Sequence, residues 1–217
     1  MTESDQLNPG RPVVLGIAGF SGSGKTTIAQ KLARALDGIH FPLDNYYRDL
    51  SHLSPEERAR QNFDDPALIE SPLLAKHVAA LARGETIERP LYDFSTHTRI
   101  PNRAETIPPA PLLVVEGLFA LLYPELLPLY HLRIYVDTSE AISFERRLAR
   151  DVAERGRTPE SVRRQYAATV HPAAFTWVRP SSVHADLILD GAKDPDASVE
   201  EIVAWLRKRA LLSSFPD

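Results

Sequence analysis

The chain has 217 residues, 43% of them hydrophobic and 25% charged, the ordinary balance of one soluble domain with enough apolar surface to bury a core. It holds no cysteine, which excludes disulfides, thiolate catalysis, Cys-ligated zinc and iron–sulfur clusters and points to a reducing, cytoplasmic setting. The formal net charge is −4, with 20 arginines against 5 lysines, so no nucleic-acid partner is expected and any anion must be gripped locally.

In chain order, the acidic start Met1-Thr2-Glu3-Ser4-Asp5 lacks the pattern of an export signal, and residues 1–10 read as a disordered tail on a single domain over 1–217. No stretch approaches the roughly 18 apolar residues of a membrane span, so no membrane partner is expected. The apolar run Val13–Ala18 predicts a strand, followed by a helix from Lys25 to about Leu36 and a short apolar stretch from Gly38 to Pro42. Leu112–Val115 and Leu132–Val136 predict further strands, the latter before a helix from about Glu140; Leu187–Leu189 precedes a helix from about Val199. Strands fed by helices imply an α/β fold with a mostly parallel sheet covered on both faces and ligands bound at the strand C-termini. Pro90–Phe94 and the segment around Thr106-Ile107 break the rhythm and predict a small antiparallel hairpin over that edge. The 18 prolines are scattered singly, except for four between Pro101 and Pro111, which predict a loop.

Gly19-Phe20-Ser21-Gly22-Ser23-Gly24-Lys25-Thr26 fits the G-x-x-x-x-G-K-[ST] phosphate loop and lies where that motif must, between a strand and a helix. Glycines let consecutive backbone N–H groups turn inward toward a polyphosphate, with the positive end of the helix dipole behind them. Lys25 would face the β and γ phosphates and Thr26 would coordinate Mg²⁺. The chain has no Asn-Lys-x-Asp run to read guanine and no Leu-Ser-Gly-Gly run, which weighs against a GTPase switch and a transporter ATPase and leaves a small-molecule kinase.

Asp44 follows the second apolar stretch, where a carboxylate can accept the proton of a hydroxyl; transfer to an alcohol needs such a group, and transfer to a phosphate does not. An ordinary turn carboxylate beside Asn45 is the alternative. Glu116 ends the run Leu112-Leu113-Val114-Val115 as an acid of the magnesium shell would. Seven of the 20 arginines lie between Arg146 and Arg164, some expected to pair with Glu145, Asp151 and Glu154. Arg155-Gly156-Arg157 interrupts the helix with a joint, which suggests a mobile arginine lid over the triphosphate; a solvated charged helix is the alternative.

Taken together and in order, these blocks resemble the uridine–cytidine kinase family of P-loop kinases. The resemblance runs through Gly19–Thr27, Asp44-Asn45-Tyr46-Tyr47, Asn62-Phe63-Asp64-Asp65-Pro66, Tyr92 to Arg99, Val115-Glu116-Gly117, Asp137-Thr138, Arg150 to Arg157 and Gln165-Tyr166. It implies a P-loop NTPase-like sheet with a hairpin over a nucleoside site and a helical arginine lid, and transfer of the γ-phosphate of ATP or GTP to the 5′-hydroxyl of uridine or cytidine. On this resemblance Asp44 is the general base, Asp64 holds the ribose hydroxyls, Tyr92 and His97 read the base and Phe94 packs the pocket. Arg147, Arg157 and Gln165 match further nucleoside-side positions. Arg150 and Arg155 match lid residues facing the phosphates, Gly19 to Thr27 the triphosphate site, and Thr26 with Glu116 the magnesium site. A homotetramer is implied in the same way. The turn after the last strand departs from the family, which has Pro-x-Gly-Gly or Pro-x-Gly-Ala with an Asn beyond; here it reads Asp190-Gly191-Ala192-Lys193-Asp194, making Asp194 the candidate on the donor side. Two rivals stay open: a P-loop kinase of another alcohol, such as phosphoribulose or pantothenate, and a slow ATP-hydrolysing switch module.

Overall fold

The structure, a computed structural model, describes residues 11–212; the tail expected over 1–10 lies outside them. Strand β1 (Val13–Gly19) leads into helix α1 (Lys25–Ala35), then β2 (Ile39–Pro42), a 3₁₀ turn (Leu43–Tyr46), α2 (Pro55–Ala59) and α3 (Ser71–Ala82). A hairpin of β3 (Ile87–Asp93) and β4 (Thr98–Ile107) follows, then β5 (Leu112–Glu116), β6 (Leu132–Asp137) and α4 (Glu140–Arg155). The chain continues through α5 (Pro159–Gln165), two π-helical stretches (Tyr166–Val170 and Ala174–Val178) on either side of α6 (His171–Ala173), β7 (Leu187–Asp190) and α7 (Pro195–Lys208).

Five strands form one parallel sheet in the order β2-β5-β1-β6-β7. The run β1-β2 leaves toward one side and β6-β7 toward the other, so the strand order reverses around β1, and ligands of such sheets bind beyond the C-terminal end of that strand. The residues of β1 alternate between two cores. Leu15 and Ile17 pack with Ile28 and Leu32 of α1 and with Ile202 and Leu206 of α7. Val14 and Ala18 face the opposite layer with Phe41, Val115, Phe119, Leu74 and Val78. Burial of each large aliphatic side chain contributes about 1.5–3 kcal/mol, and burial on both faces is why β1 and β5 read as unbroken apolar runs.

Two boundaries differ from the sequence expectation. Helix α7 starts at Pro195 and not near Val199, because the Asp194 carboxylate caps it, accepting from the N–H of Asp196 at 2.8 Å with proline in the first turn. Pro101 lies inside β4, so the expected loop shrinks to residues 108–111. A two-stranded ribbon consists only of edges, and the register shifts between Pro90 and Tyr92, so a missing N–H is tolerated there. The hairpin is tied to the chain after β2 through Arg99, which donates from Nε to the Tyr47 carbonyl at 3.0 Å and pairs with Glu70 at 2.7 Å.

Candidate active site

The phosphate loop joins the end of β1 to α1. Gly22 has φ +91°, and a Cβ there would stand 2.1 Å from the Ser143 carbonyl of α4, so the loop can lie against α4 only with glycine at this position. Gly24 precedes α1 in a left-handed conformation without capping its first turn through a side chain, which leaves those N–H groups to an anion. The buried Lys25 ammonium lies 3.5 Å from the Phe20 carbonyl and 3.7 Å from Glu116 Oε1. The Thr26 hydroxyl donates to the same Glu116 oxygen at 3.1 Å, while Thr27 is exposed. Ser23 Oγ is buried without a hydrogen-bond partner.

Glu116 ends β5 beside β1, and its second oxygen lies 3.2 Å from His40 Nε2 of β2. Burial acts to raise the Glu116 pKa, but the His40 hydrogen bond, the charges of Lys25 and His40 and the Thr26 hydroxyl outweigh it and hold the carboxyl below its usual range. Asp44 stands just past β2 in the 3₁₀ turn. Desolvation by the surrounding protein, reinforced by the Glu116 charge, raises its pKa to about 6 against the lowering pull of Lys25, Arg155 and Arg150. The side chain still meets solvent, and that water tempers the rise; a substrate displacing the water would restore it.

On the hairpin side, buried Asp64 accepts from Thr169 Oγ1 at 2.7 Å, and that hydroxyl also reaches the Gln165 carbonyl. Thr169 lies in a π-helical stretch, a distortion common at functional sites. His97 stacks on Phe63 with ring centroids 4.4 Å apart, and Tyr92 packs between Tyr47 and Phe94. The Tyr92 hydroxyl is buried without a partner, so this pocket holds an unused hydrogen-bonding group next to a half-buried imidazole. Burial, helped by the Arg58 charge, lowers the His97 pKa and favours the neutral ring, despite the opposing charge of Asp93. Phe94 is the exposed member of the cluster.

Four arginines converge on Asp151, a fully buried carboxylate of α4. Arg150 reaches it at 2.8 Å, Arg155 and Arg157 at 3.4 Å, and Arg147 at 3.7 Å. Among the described residues the expected pairing thus falls on Asp151, and neither Glu145 nor Glu154 takes an arginine within 4 Å. Arg157 gets there because α4 ends at the left-handed Gly156, which turns the chain back. Arg147 also donates to Ser21 Oγ of the phosphate loop at 2.8 Å and to Gln165 Oε1 at 3.1 Å, and Gln165 accepts from Arg157 as well. Burial lowers the Arg147 pKa, and the charges of Asp151 and Asp64 oppose that shift. One carboxylate cannot balance four guanidiniums, so the cluster suits a polyanion.

The chain therefore brings nearly every candidate residue to one edge of the sheet. Asp194 instead spends its Oδ1 on the α7 cap. Sequence reasoning gave no role to His40 or Thr169, and named Asp151 only as one of three possible arginine partners. His40 could have been noticed as the polar member of an apolar strand, whereas the π-helical turn carrying Thr169 has no sequence signature. Among the described residues no three His, Asp or Glu side chains could hold a metal by themselves. A hydroxyl and a carboxylate at the phosphate loop do fit Mg²⁺, which takes one or two protein oxygens and completes its shell with phosphate and water.

A parallel sheet with a phosphate loop at its strand reversal and a basic cluster opposite defines a P-loop protein of the kinase type. The family model of the phosphoribulokinase / uridine kinase family matches residues 14–198, and the chain belongs to that family. A uridine kinase from Chloroflexus aggregans is 42% identical over 207 residues, covering 94% of this chain and 98% of that protein. A uridine kinase from Deinococcus deserti is 41% identical over 200 residues, covering 91% and 96% respectively. Among solved structures, phosphoribulokinase from Rhodobacter spheroides has a TM-score of 0.60 at 16% identity, covering 87% of this chain and 74% of that one. Shikimate kinase from Bacteroides thetaiotaomicron has a TM-score of 0.52 at 16% identity, covering 90% and 98%. At such identities these two structures share the fold alone. No helix among the described residues is long and apolar enough to cross a membrane.

Proposed function

We propose that this chain phosphorylates uridine and cytidine at the 5′-hydroxyl, with ATP or GTP as donor, as one kinase domain in cytoplasmic pyrimidine salvage. The observation that carries the reading is the placement of Asp44 just past β2, within electrostatic reach of Lys25, Arg150 and Arg155, where desolvation pushes its carboxyl up to about 6. A group with that pKa is ionised at pH 7 and still basic enough to take a proton in the transition state. The 5′-hydroxyl gives its proton to Asp44 as its oxygen bonds the γ-phosphorus, and the bond from phosphorus to the β,γ-bridging oxygen breaks to release the nucleoside diphosphate. Lys25, Arg150 and Arg155 stabilise charge on the transferring group, while the loop from Gly19 to Thr27 orients the triphosphate. Bound Mg²⁺, held by Thr26 and Glu116, would neutralise phosphate charge.

Asp64 accepts from the ribose hydroxyls, and Arg147, Arg157 and Gln165 frame that side of the nucleoside. Tyr92 offers its unpartnered hydroxyl to the base and Phe94 covers it. Neutral His97 has one donor and one acceptor nitrogen, so exchanging them by tautomer or ring flip serves both the uracil carbonyl and the cytosine amino group. Asp194 remains a donor-base candidate through its second oxygen, and a homotetramer rests on the family resemblance. Incubation with ATP and Mg²⁺ against a panel of nucleosides, ribulose 5-phosphate and pantothenate tests the reading. Prompt formation of UMP and CMP with little product from thymidine or purine nucleosides is expected. Product from another alcohol, or hydrolysis without an acceptor, would overturn it.

A further inference from the structure

Glu116 uses its two oxygens differently. Oε1 faces the phosphate loop, 3.1 Å from the Thr26 hydroxyl and 3.7 Å from the Lys25 ammonium, whereas Oε2 lies 3.2 Å from His40 Nε2 on the neighbouring strand. His40 sits opposite Val114 in the β2-β5 register and Glu116 two residues further along β5, so both side chains project from the same face of the sheet. The Glu116 side chain is 6% exposed and the His40 side chain 20%, so little water competes for this contact.

We propose that His40 is a positioning residue, whose Nε2–H holds Oε2 of Glu116 and so keeps Oε1 turned toward Thr26, where the metal-bound triphosphate docks. A carboxylate on a strand end has two rotatable side-chain bonds before its carboxyl torsion, and without a second anchor Oε1 could swing toward the Lys25 ammonium and form a closed ion pair. Partners one step removed from a metal commonly govern its affinity in this manner, and losing one costs about 10–100-fold in metal binding. With Nε2 as the donor, glutamine is the substitution whose amide N–H₂ best reproduces it.

The inference rests on the proposed magnesium site, so the test separates it from the proposed reaction by measuring binding without any acceptor nucleoside. Calorimetry would follow ADP binding across a Mg²⁺ titration for the parent, His40→Ala and His40→Gln, with thermal unfolding as a check on the fold. The expected result is that His40→Ala binds metal-free ADP as the parent does, but needs about tenfold more Mg²⁺ for half of the metal-dependent gain in affinity. His40→Gln should return to within about threefold of the parent, and it decides the matter should the alanine variant not fold. An unchanged Mg²⁺ requirement in His40→Ala, equal weakening of ADP with and without metal, a glutamine variant no better than alanine, or a parent indifferent to Mg²⁺ would each overturn the proposal. A parent that binds Mg²⁺-ADP normally yet phosphorylates no nucleoside would defeat the proposed function and leave His40 in place.

Discussion

Asp44 couples catalysis to a local cost in stability. Asp44→Asn keeps the shape of the side chain but cannot take a proton, so kcat for uridine at saturating substrates should fall by at least about 10²-fold. In the parent, kcat at saturating substrates should fall about tenfold per pH unit below about pH 6 and level off above it, since the ionised form is the active one and bound substrate has displaced the water. The stability effect has the opposite sign. The folded carboxyl, at about 6, binds its proton more tightly than the unfolded one at 3.8, so ionisation opposes folding increasingly between those values and fully above pH 6. Asp44→Asn should therefore raise the melting temperature at pH 8 and leave it nearly unchanged at pH 3.5. A variant no more stable than the parent at pH 8 would show that solvent at Asp44 cancels the desolvation.

Two elements carry distinct burdens, the phosphate loop a steric one and the end of α4 an electrostatic one. Gly22→Ala places a methyl group against the Ser143 backbone at a positive φ, whereas Gly24→Ala, also at positive φ, meets nothing closer than 3.8 Å. Both should destabilise by more than about 1 kcal/mol, Gly22→Ala the more, with its loss of ATP affinity exceeding that of Gly24→Ala in calorimetry. In the arginine cluster, exposure separates chemistry from scaffold. Arg155 is 56% exposed at its side chain and makes one long ion pair, so Arg155→Ala should lower kcat by about 10²-fold while shifting the melting temperature by less than about 2 °C. The buried Arg147 ties Asp151, Ser21 and Gln165 together, and Arg147→Ala should cost about 3 kcal/mol, or roughly 6–12 °C, on top of any kinetic effect. If Arg155→Ala kept full turnover, the solvated-helix alternative for that residue would stand.

For the whole molecule, the site draws on β1, β2, β5, the hairpin, α4 and the π-helical region, so ligand binding should stabilise the chain broadly. ATP with Mg²⁺ at about a hundredfold over Kd contributes about 2.7 kcal/mol, which should raise the midpoint of thermal unfolding by roughly 5–10 °C. Calorimetric scans should show one transition with and without nucleotide; a second, nucleotide-insensitive transition would show that part of the chain unfolds independently of the site.

The phosphate loop, the parallel sheet and the strand-end carboxylates were legible in the sequence, because each depends on local spacing: glycines where backbone must approach an anion, β-branched runs where both faces are buried, and an acid at a strand end. Capping geometry was harder to read, so α7 began four residues before the expected Val199, and Pro101 entered a strand because an edge tolerates it. The arginine-rich stretch announced an anion by composition, but spacing alone offered Glu145, Asp151 and Glu154 as partners. Burial of Asp151 and the backward turn at Gly156 decided among them. Likewise His40 and Glu116 are separated in sequence by two helices and a hairpin, and only the pairing of β2 with β5 sets their side chains in contact. Local order follows from residue type and spacing; which charge meets which is decided by long-range pairing and by exclusion of water, and both exist only in the folded chain.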